Sequence, residues 1–407
     1  MGCPQTVVII SDHAFINGGQ AKVALDSALG LKARGFDVRV FASVGPADAR
    51  LAEAGIPVTL LNGHDILSDP NRGRAIVNGV WNRQAGRALT HMLSGLDPAT
   101  TLVHIHGWAK ALSGAIAPAV RQSGLPHVYT MHEYALACPN SAFLDHKRVE
   151  ICTRKPLGFD CLTTQCDSRS YAHKGWRVLR QLGLHAGGWP KHLPHLIYLS
   201  QTELEAMRPN LPDTARLWHV TNPVDAEPDA QVDVANNDEF VFVGRLSPEK
   251  GPVLFAEAAK EAGIRAVFVG SGDEEEAVRA ANPDAELTGW VTPDQVQLRL
   301  GRARALVFPS VWYETHGLVA YEAQARGVPV IVGDRCAAHE AIVDGETGLL
   351  FPMASKEGLT GALRQLSDGA LAARMGQAAM QRYWQAPLTM DSHLDQLETV
   401  YDAVMAG

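Results

Sequence analysis

The stretch TVVIISDHAFINGGQAKVALDSALGLKARGFDVRVFA, residues 6–42, decides the fold class. Its opening run TVVIISD is β-rich and apolar, INGG is a glycine turn, and QAKVALDSALGLKAR carries apolar residues at helical spacing. Gly35 ends this helix, and FDVRVFA predicts a second strand. A strand–helix–strand unit with a glycine turn is typical of a parallel sheet, so the chain is predicted to begin with a Rossmann-like α/β domain.

The same alternation continues along the rest of the chain. Apolar runs TLVHIHG, HVYTMHE, HLIYLSQ and LWHVTNPVD follow in the first half, and EFVFVGR, RAVFVGSG, ELTGW, ALVFPS, VPVIVGD and GLLFP in the second. The polar, acidic stretch AEPDAQVDVANND separates the two series. We therefore predict a Rossmann-like domain over 1–225, a linker over 226–238 and a second Rossmann-like domain over 239–407, with a cleft between the domains. The last helix is expected to pack back on the N-terminal domain.

Composition places the chain among soluble globular proteins. It has 407 residues, of which 46% are hydrophobic and 20% charged, and its opening apolar run VVII is far shorter than a signal-peptide core or a spanning helix. The net charge of −8 is uneven, because residues 1–225 carry 22 Lys+Arg against 17 Asp+Glu and the remainder carries 14 against 27. The two halves are therefore expected to face different partners.

A glycine followed by two cations marks the second half. VFVGRLSPEKG (241–251) is a strand and a glycine, then Arg245 and Lys250, then a helix. Cations at a strand end, beside the free amides of a helix N-terminus, suit a diphosphate. A pair of basic residues taken alone is more often two solvated surface charges.

Two glutamates follow the run ALVFPS. In WYETHGLVAYEA (312–323), Glu314 lies in a loop, and Glu322 lies about one and a half turns inside the helix that follows Gly317. Amides at the start of that helix would point at a phosphate, and the Glu322 carboxylate would accept from two ribose hydroxyls. Glu314 would then meet a sugar. Most helix glutamates are simply exposed, but the neighbouring anion site favours a nucleotide diphosphate-sugar as ligand.

These motifs together resemble the family-4 retaining glycosyltransferases of GT-B fold. GRLSPEKG, the E-x7-E pair in PSVWYETHGLVAYEA, GVPVIV and DGETGLLF are similar to the family's pattern, and INGGQAKVALDSALGLKARGFDVRVF resembles its N-terminal glycine loop and first helix. VHIHG, TMHEY and TNPVD also fall in the family's order and spacing. The resemblance covers nearly the whole chain and implies two Rossmann-like domains with the active site in the interdomain cleft.

The resemblance implies roles at the matching positions. Arg245 and Lys250 would neutralise the donor diphosphate, His132 and Glu314 would contact the donor sugar, and these four form the expected catalytic set. Glu322 would bind the ribose. The other expected donor-binding positions are Gly18, Gly19, Gly270, Gly289, Val291, Gly317, Leu318 and Val319. His316 stands where family members often have an aromatic residue, so the donor sugar cannot be inferred there.

The family's chemistry implies front-face transfer with retention and no catalytic cofactor. The chain contains no Asp-x-Asp, in keeping with a metal-free mechanism in which the two cations replace a divalent ion. The expected partners are a nucleotide-sugar and a glycan or lipid-linked acceptor of cell-surface polysaccharide or glycolipid assembly, and no nucleic acid. The alternatives are a nonhydrolysing sugar-nucleotide epimerase, which we do not expect to combine the glycine loop with GRLSPEKG, and a catalytically silent binding subunit, which need not keep all four charged residues.

Two histidines end an early strand. His106 in VHIHG is expected either to line the cleft or to be structural, and His104 is expected on the opposite side of the strand, in the core.

Four of the six cysteines cluster within 29 residues, in an insertion near 138–166. This insertion has little apolar periodicity, which suggests that a cross-link orders it. Cys138, Cys152, Cys161 and Cys166 are therefore a tentative structural zinc site, with reduced thiols and disulfides as alternatives. The absence of a tight C-x2-C knuckle counts against zinc.

The segment 167–195 carries five Lys+Arg against one Asp, with aromatic residues between them. Helical spacing places Trp176, Leu179 and Leu182 on one stripe, with Lys174 and Arg177 beside it. Such a helix suits an anionic membrane surface, although an ordinary amphipathic helix packed on its own domain has the same pattern. We therefore expect a cytoplasmic protein, peripheral at the inner face of the membrane.

Overall fold

The computed structural model describes residues 3–228 and 231–407. Within them the chain forms fifteen β-strands, which are β1 (Thr6–His13), β2 (Asp37–Val44), β3 (Val58–Leu60), β4 (Thr101–Ile105), β5 (His127–Thr130), β6 (Leu144–Asp145), β7 (Glu150–Ile151), β8 (His195–Tyr198), β9 (Arg216–His219), β10 (Glu239–Val243), β11 (Arg265–Val269), β12 (Glu286–Leu287), β13 (Ala303–Phe308), β14 (Val330–Gly333) and β15 (Gly348–Phe351).

Fifteen α-helices lie in the same described ranges. They are α1 (Gly19–Ala33), α2 (Ala49–Glu53), α3 (Arg72–Val80), α4 (Arg83–Leu93), α5 (Ile116–Ser123), α6 (Phe159–Thr163), α7 (Tyr171–Gly187), α8 (Gln201–Met207), α9 (Pro252–Ala262), α10 (Glu275–Ala281), α11 (Pro293–Leu300), α12 (Leu318–Ala325), α13 (Lys356–Leu366), α14 (Gly369–Gln385) and α15 (Met390–Ala406). None of the helices in this part of the chain is both long and apolar enough to cross a bilayer.

Seven strands of the first half form one parallel sheet in the order β3-β2-β1-β4-β5-β8-β9. The central strand β1 is buried from Val7 to His13, because helices cover both faces of a parallel sheet. Its apolar side chains share a core with α1, which packs beside β1 and β2. The strand–helix–strand unit read from residues 6–42 is therefore present.

The second half contains a six-stranded parallel sheet in the order β12-β11-β10-β13-β14-β15. Its strands and the helices around them form a second hydrophobic core that is separate from the first. The predicted fold class, α/β with two Rossmann-like units, is confirmed. Since ligands of such sheets bind beyond the carboxyl ends of the strands, those ends locate the candidate site.

Two segments join the halves. The expected linker 226–238 includes residues 229 and 230, which lie outside the described residues. The stretch is polar and acidic in sequence, yet Val232 and Val234 in its second part are buried in the core of the second half. At the other end of the chain, α15 packs on α1, where Tyr401 is buried in the core of the first half.

Side chains beyond the strand ends connect the two sheets directly. The hydroxyl of Tyr134, just after β5, donates to the backbone carbonyl of Glu314, just after β13. The Glu340 carboxylate accepts from the backbone amides of Gln201 (3.0 Å) and Thr202 (2.7 Å) at the start of α8. A carboxylate from one half thus caps a helix of the other half, which holds the two strand-end edges face to face.

Candidate active site

A cavity of about 390 Å³ opens at the carboxyl ends of β10 and β11. Gly244, Arg245 and Gly270 line it from these strand ends, and Trp290 and Val291 line it from the following loop. The amide of Gly270 donates to the carbonyl of Gly289 at 3.0 Å. A Cβ on Gly270 would lie only 2.0 Å from the Gly244 carbonyl oxygen, so glycine is required there. The expected donor positions Gly270, Gly289 and Val291 are therefore brought together.

The two cations of GRLSPEKG have different surroundings. The Arg245 side chain is 71% exposed and lies 3.6 Å from the Glu249 carboxylate. The Lys250 ammonium is mostly buried and contacts Oε1 of Glu314 at 2.6 Å. Arg245 is therefore free to meet an incoming anion, whereas Lys250 is held in place by a carboxylate.

Glu314 is fixed by its neighbours and by its backbone. Its Oε1 accepts from Lys250 and, at 2.7 Å, from the Ser310 hydroxyl. Its φ of 55° lies in the left-handed region, which L-residues other than Asn and Asp rarely adopt. Such strain is typical of functional sites, because the surrounding fold must hold the residue there.

The start of α12 presents free backbone amides. Gly317 precedes the helix with φ 85°, and no side chain caps the N-terminus. A Cβ on Gly317 would lie 2.6 Å from the Cβ of Ala338, so the turn is closed to larger residues. The amides of Leu318 and Val319 are the first of the helix, and together with its dipole they suit an anion.

Glu322, on α12, is half-buried beside Gln297, whose side-chain amide donates to it at 3.3 Å. Burial first, and then the charge of Asp225, raise the pKa of its carboxyl to about 7, while the Lys22 ammonium opposes the shift. Lys22 belongs to α1 of the first half and pairs with Asp225 at 2.9 Å. Glu322 therefore lies at the boundary of the two halves.

The glycine turn of the first half opens the N-terminus of α1. Gly18 has φ 98° and precedes the helix without a side-chain cap. A Cβ on Gly18 or Gly19 would meet no atom within 4 Å, so the space in front of these residues is open. The positive φ of Gly18 shows why glycine is needed at that position.

His132 lies after β5 in contact with His106. Nδ1 of His106 is 3.0 Å from Nε2 of His132, and the two rings stack. Burial lowers the pKa of His132 to about 3, with a further contribution from His316 of the second half. His132 is therefore a neutral imidazole at neutral pH, and its pKa is influenced by His316, two residues after Glu314 in the E-x7-E motif.

The expectation that His104 and His106 point to opposite sides is wrong. Their ring centroids are 3.9 Å apart, because residues two positions apart on a strand share a face. His104 is a core residue, with its ring nitrogens 2.7 Å from the hydroxyls of Tyr401 and Thr130. His106 is also buried and faces His132.

Sequence reasoning missed several residues of this region. Ser310 holds Glu314 and Gln297 holds Glu322. Ser310 lies inside the quoted motif PSVWYETHGLVAYEA but was assigned no role, and Gln297 lies outside the quoted motifs. Trp290, the middle residue of the loop GWV whose flanking positions Gly289 and Val291 were expected to bind the donor, is 77% exposed and lines the strand-end cavity. Glu133 is adjacent to His132 in TMHEY. Burial raises the pKa of its carboxyl, and the charge of Lys110 opposes this rise. The sequence signal for Glu133 was its position as a charged residue directly next to His132, an expected site residue.

The tentative zinc site is not supported. Cys138, Cys152, Cys161 and Cys166 do line one small cavity. However, across residues 3–228 and 231–407 no group of three or more His, Cys, Asp or Glu side chains is placed to hold a metal ion. The buried Lys174 ammonium donates to the Cys166 sulfur at 2.9 Å, so a cation of the protein itself faces these thiols.

All six cysteines are free thiols, which agrees with the reduced alternative rather than the disulfides. The insertion is ordered in part by apolar burial, contrary to expectation. Phe143 and Leu144 are buried, and Phe143 packs edge-on against the Tyr134 ring. A short hairpin of β6 and β7 follows.

The segment expected to be amphipathic is the helix α7. Leu179 and Leu182 are about half exposed, as predicted. Trp176 packs on α3 instead, and its indole N–H donates to the Ile76 carbonyl at 3.0 Å. Lys174 is buried against the cysteines and does not flank the surface stripe.

Comparison with known proteins agrees with this geometry. The family model for glycosyl transferases group 1 matches residues 225–382, and the model for a glycosyl transferase 4-like domain matches residues 18–154. The D-inositol 3-phosphate glycosyltransferase of Rhodococcus jostii (strain RHA1) is 30% identical over 416 aligned residues, covering 92% of this chain and 84% of that protein.

Two solved structures share the fold over nearly the whole chain. Sucrose-phosphate synthase from Thermosynechococcus elongatus superposes with a TM-score of 0.72 at 19% identity, covering 99% of both chains. Anabaena HepE in complex with UDP-glucose superposes with a TM-score of 0.66 at 15% identity, covering 98% of this chain and 99% of that one. The paired sheets, the family matches and the Rhodococcus relative lead to one conclusion: this chain belongs to the group 1 glycosyltransferase family and is a glycosyltransferase of GT-B fold.

Proposed function

We propose that the protein transfers a sugar, with retention of configuration, from a nucleotide diphosphate-sugar to a glycan or lipid-linked acceptor in cell-surface polysaccharide or glycolipid assembly. The observation that carries this proposal is the strand-end cavity of the second half, which Arg245 lines. The donor would place its base along Trp290 and Val291, its ribose at Glu322 and its diphosphate at Arg245, Lys250 and the start of α12.

The bound donor sugar would lie between Glu314 and His132. Because the pKa of His132 is about 3, its imidazole is neutral and acts through hydrogen bonds rather than charge. Glu314 is engaged by Lys250 and Ser310, so it is suited to positioning a sugar rather than to attacking it. With no free carboxylate in the expected catalytic set, front-face attack by the acceptor is the favoured route.

Leaving-group stabilisation would fall to the chain's own cations. As the bond between the sugar and the diphosphate breaks, negative charge grows on the diphosphate, and Arg245 and Lys250 would stabilise it. We therefore propose that transfer needs no divalent ion.

Relatives support the choice of ligands. HepE was crystallised with UDP-glucose, which favours a UDP-sugar as donor. The Rhodococcus relative is named for D-inositol 3-phosphate, which favours an acceptor that carries a phosphate. The exposed Leu179 and Leu182 on the basic first half favour contact with a membrane surface, where a lipid-linked acceptor would lie.

One experiment tests the reaction itself. UDP-, GDP- and ADP-sugars are first ranked by thermal shift, and the best donor is incubated with an acceptor panel with and without EDTA. We expect a product whose anomeric configuration matches that of the donor and a rate that EDTA leaves unchanged. An inverted anomer in the product NMR spectrum would contradict the proposed mechanism, and a loss of activity in EDTA would contradict its metal independence.

A further inference from the structure

A groove of about 370 Å³ lies between α3 and α7, apart from the donor cavity. Its apolar lining includes Ile66, Leu67, Ile76 and Trp176, and both Leu67 and Ile76 are more than half exposed. The volume is at the lower end of the roughly 300–1,000 Å³ of small-molecule sites. Contiguous apolar surface left in water is a mark of a binding site.

Three arginines line the same groove, namely Arg72, Arg169 and Arg177. The Arg177 guanidinium is paired with Asp167 at 2.7 Å. Arg72 and Arg169 are exposed, and within the described part of the chain neither forms an ion pair with a carboxylate. A planar guanidinium that is not paired with a carboxylate suits the oxygens of a phosphate.

The groove lies on the same half of the molecule as His132. Arg177 also lines a second, much smaller cavity, together with Arg180 and Ala135. Ala135 lies three residues after His132. The charges of Arg177 and Arg180 also act on the Glu133 carboxyl, where they lower the pKa against the effect of burial. Arg177 thus belongs both to the groove and to the lining of a cavity beside the segment that follows His132.

We propose that this groove binds the lipid phosphate portion of the acceptor. The alkyl chain would cover Ile66, Leu67 and Ile76, and the phosphate would bind Arg72 and Arg169. The acceptor's sugar end would then extend past Arg177 toward His132. This assignment deepens the proposed function. It rests on that function because it takes the bound lipid phosphate to be the part of the molecule that carries the acceptor group.

Both chemical features of the groove are needed for this assignment. A water-soluble sugar phosphate would satisfy the arginines and leave the apolar surface exposed to water. A neutral lipid would cover the apolar surface and leave two guanidiniums without an anionic partner. Only an amphiphile with a phosphate matches both, because it buries the apolar area and pairs the charges in one molecule.

The test compares three probes on the full chain by isothermal titration calorimetry. These are octyl phosphate below its critical micelle concentration, octanol and inorganic phosphate. We expect octyl phosphate to bind at least about tenfold more tightly than either of the others, since each of them makes only one of the two contacts.

Variants locate the site. Arg72→Gln combined with Arg169→Gln, and separately Ile76→Asn, should each weaken octyl phosphate binding by about tenfold or more. Arg87→Gln is the matched control, because Arg87 is an exposed arginine on α4 of the same half and does not line the groove. UDP-glucose binding should be unchanged in every variant, and circular dichroism confirms that each one is folded.

The outcomes separate this inference from the proposed function. If octyl phosphate does not bind, binds no more tightly than inorganic phosphate, or binds the groove variants as it binds the wild type, the groove assignment is wrong. The proposed function would still hold if UDP-glucose binding and sugar transfer persist. If no nucleotide-sugar binds at all, it is the proposed function that fails.

Discussion

At the scale of single residues, Glu322 shows how the fold tunes a proposed donor contact. Its carboxyl is half-buried beside Gln297 and close to Asp225 and Lys22. The environment therefore favours the protonated form until a ligand arrives. A ribose that donates two hydroxyl hydrogen bonds would favour the ionised form instead, because hydrogen bonds to a carboxylate stabilise its charge.

We expect Glu322→Ala to weaken nucleotide-sugar binding by about 1.5–3 kcal/mol, which is about ten- to 150-fold in Kd, because it removes charged hydrogen bonds to the ribose. Calorimetric titration with UDP-glucose measures the change. Glu257→Ala is the matched control, since Glu257 is an exposed helix glutamate of the same half. Wild-type affinity in the Glu322 variant would show that the ribose is bound elsewhere.

Glu322 also predicts a pH dependence of stability. Burial raises the pKa of its carboxyl from 4.5 to about 7, so the folded protein holds this proton more tightly than the unfolded chain. Its contribution to stability is therefore fully present below the unfolded pKa and is lost as the pH rises through the folded pKa.

We expect Glu322→Gln, which cannot ionise, to gain in Tm relative to wild type as the pH rises from about 5 to about 8. Thermal unfolding without nucleotide at both pH values measures this difference, with Glu257→Gln as the control. A difference in Tm that stays constant with pH would mean that Glu322 does not titrate in this range.

At the scale of elements, the turn before α12 combines two constraints. Gly317 has a positive φ, and its Cα lies against Ala338, so the helix can begin there only with glycine. The same conformation aims the first amides of α12 at the space in front of it. The start of the helix is thus both a packing contact and the proposed anion site.

Gly317→Ala should lower the free energy of unfolding by about 1–3 kcal/mol, because the left-handed backbone and the close contact with Ala338 both disfavour a Cβ. Urea unfolding measures the change. Gly361→Ala is the matched control within a helix: its Cβ would meet no atom within 4 Å, so this change should stabilise slightly, by about 0.5–1 kcal/mol. Equal effects at the two positions would contradict the argument.

At the scale of the whole molecule, charge and exposed apolar surface are divided between the halves. The first half carries the excess of basic residues, together with the exposed Leu179 and Leu182 on α7. The second half carries the excess of acidic residues and the cavity proposed to bind the donor. Such a division would let the first half face an anionic surface while the second half exchanges nucleotide with solvent.

We expect the protein to cosediment with anionic vesicles at low salt and not with neutral ones. Leu179→Ser combined with Leu182→Ser should reduce the bound fraction, because it removes the apolar contact of α7. Leu298→Ser is the matched control, since Leu298 is a helix leucine that is also at least half exposed but lies in the second half. Equal sedimentation with both vesicle types would rule out the proposed membrane contact.

The sequence by itself determined the two parallel sheets and the positions of the donor motifs. Strand and helix periodicity are local properties, so the unit at residues 6–42 and the runs EFVFVGR and RAVFVGSG could be predicted from short windows. It also showed that Gly317 begins a helix, because glycine at a helix boundary has a local conformational reason.

Only the tertiary structure decided which side chains meet. Three contacts join residues distant in sequence: Lys250 with Glu314, His106 with His132, and Val232 and Val234 with the second core. Lys174 has the spacing of a surface cation, yet its ammonium is buried among thiols. Periodicity reports which face of an element is apolar, but not which neighbour covers that face, and long-range packing sets the burial of each charge.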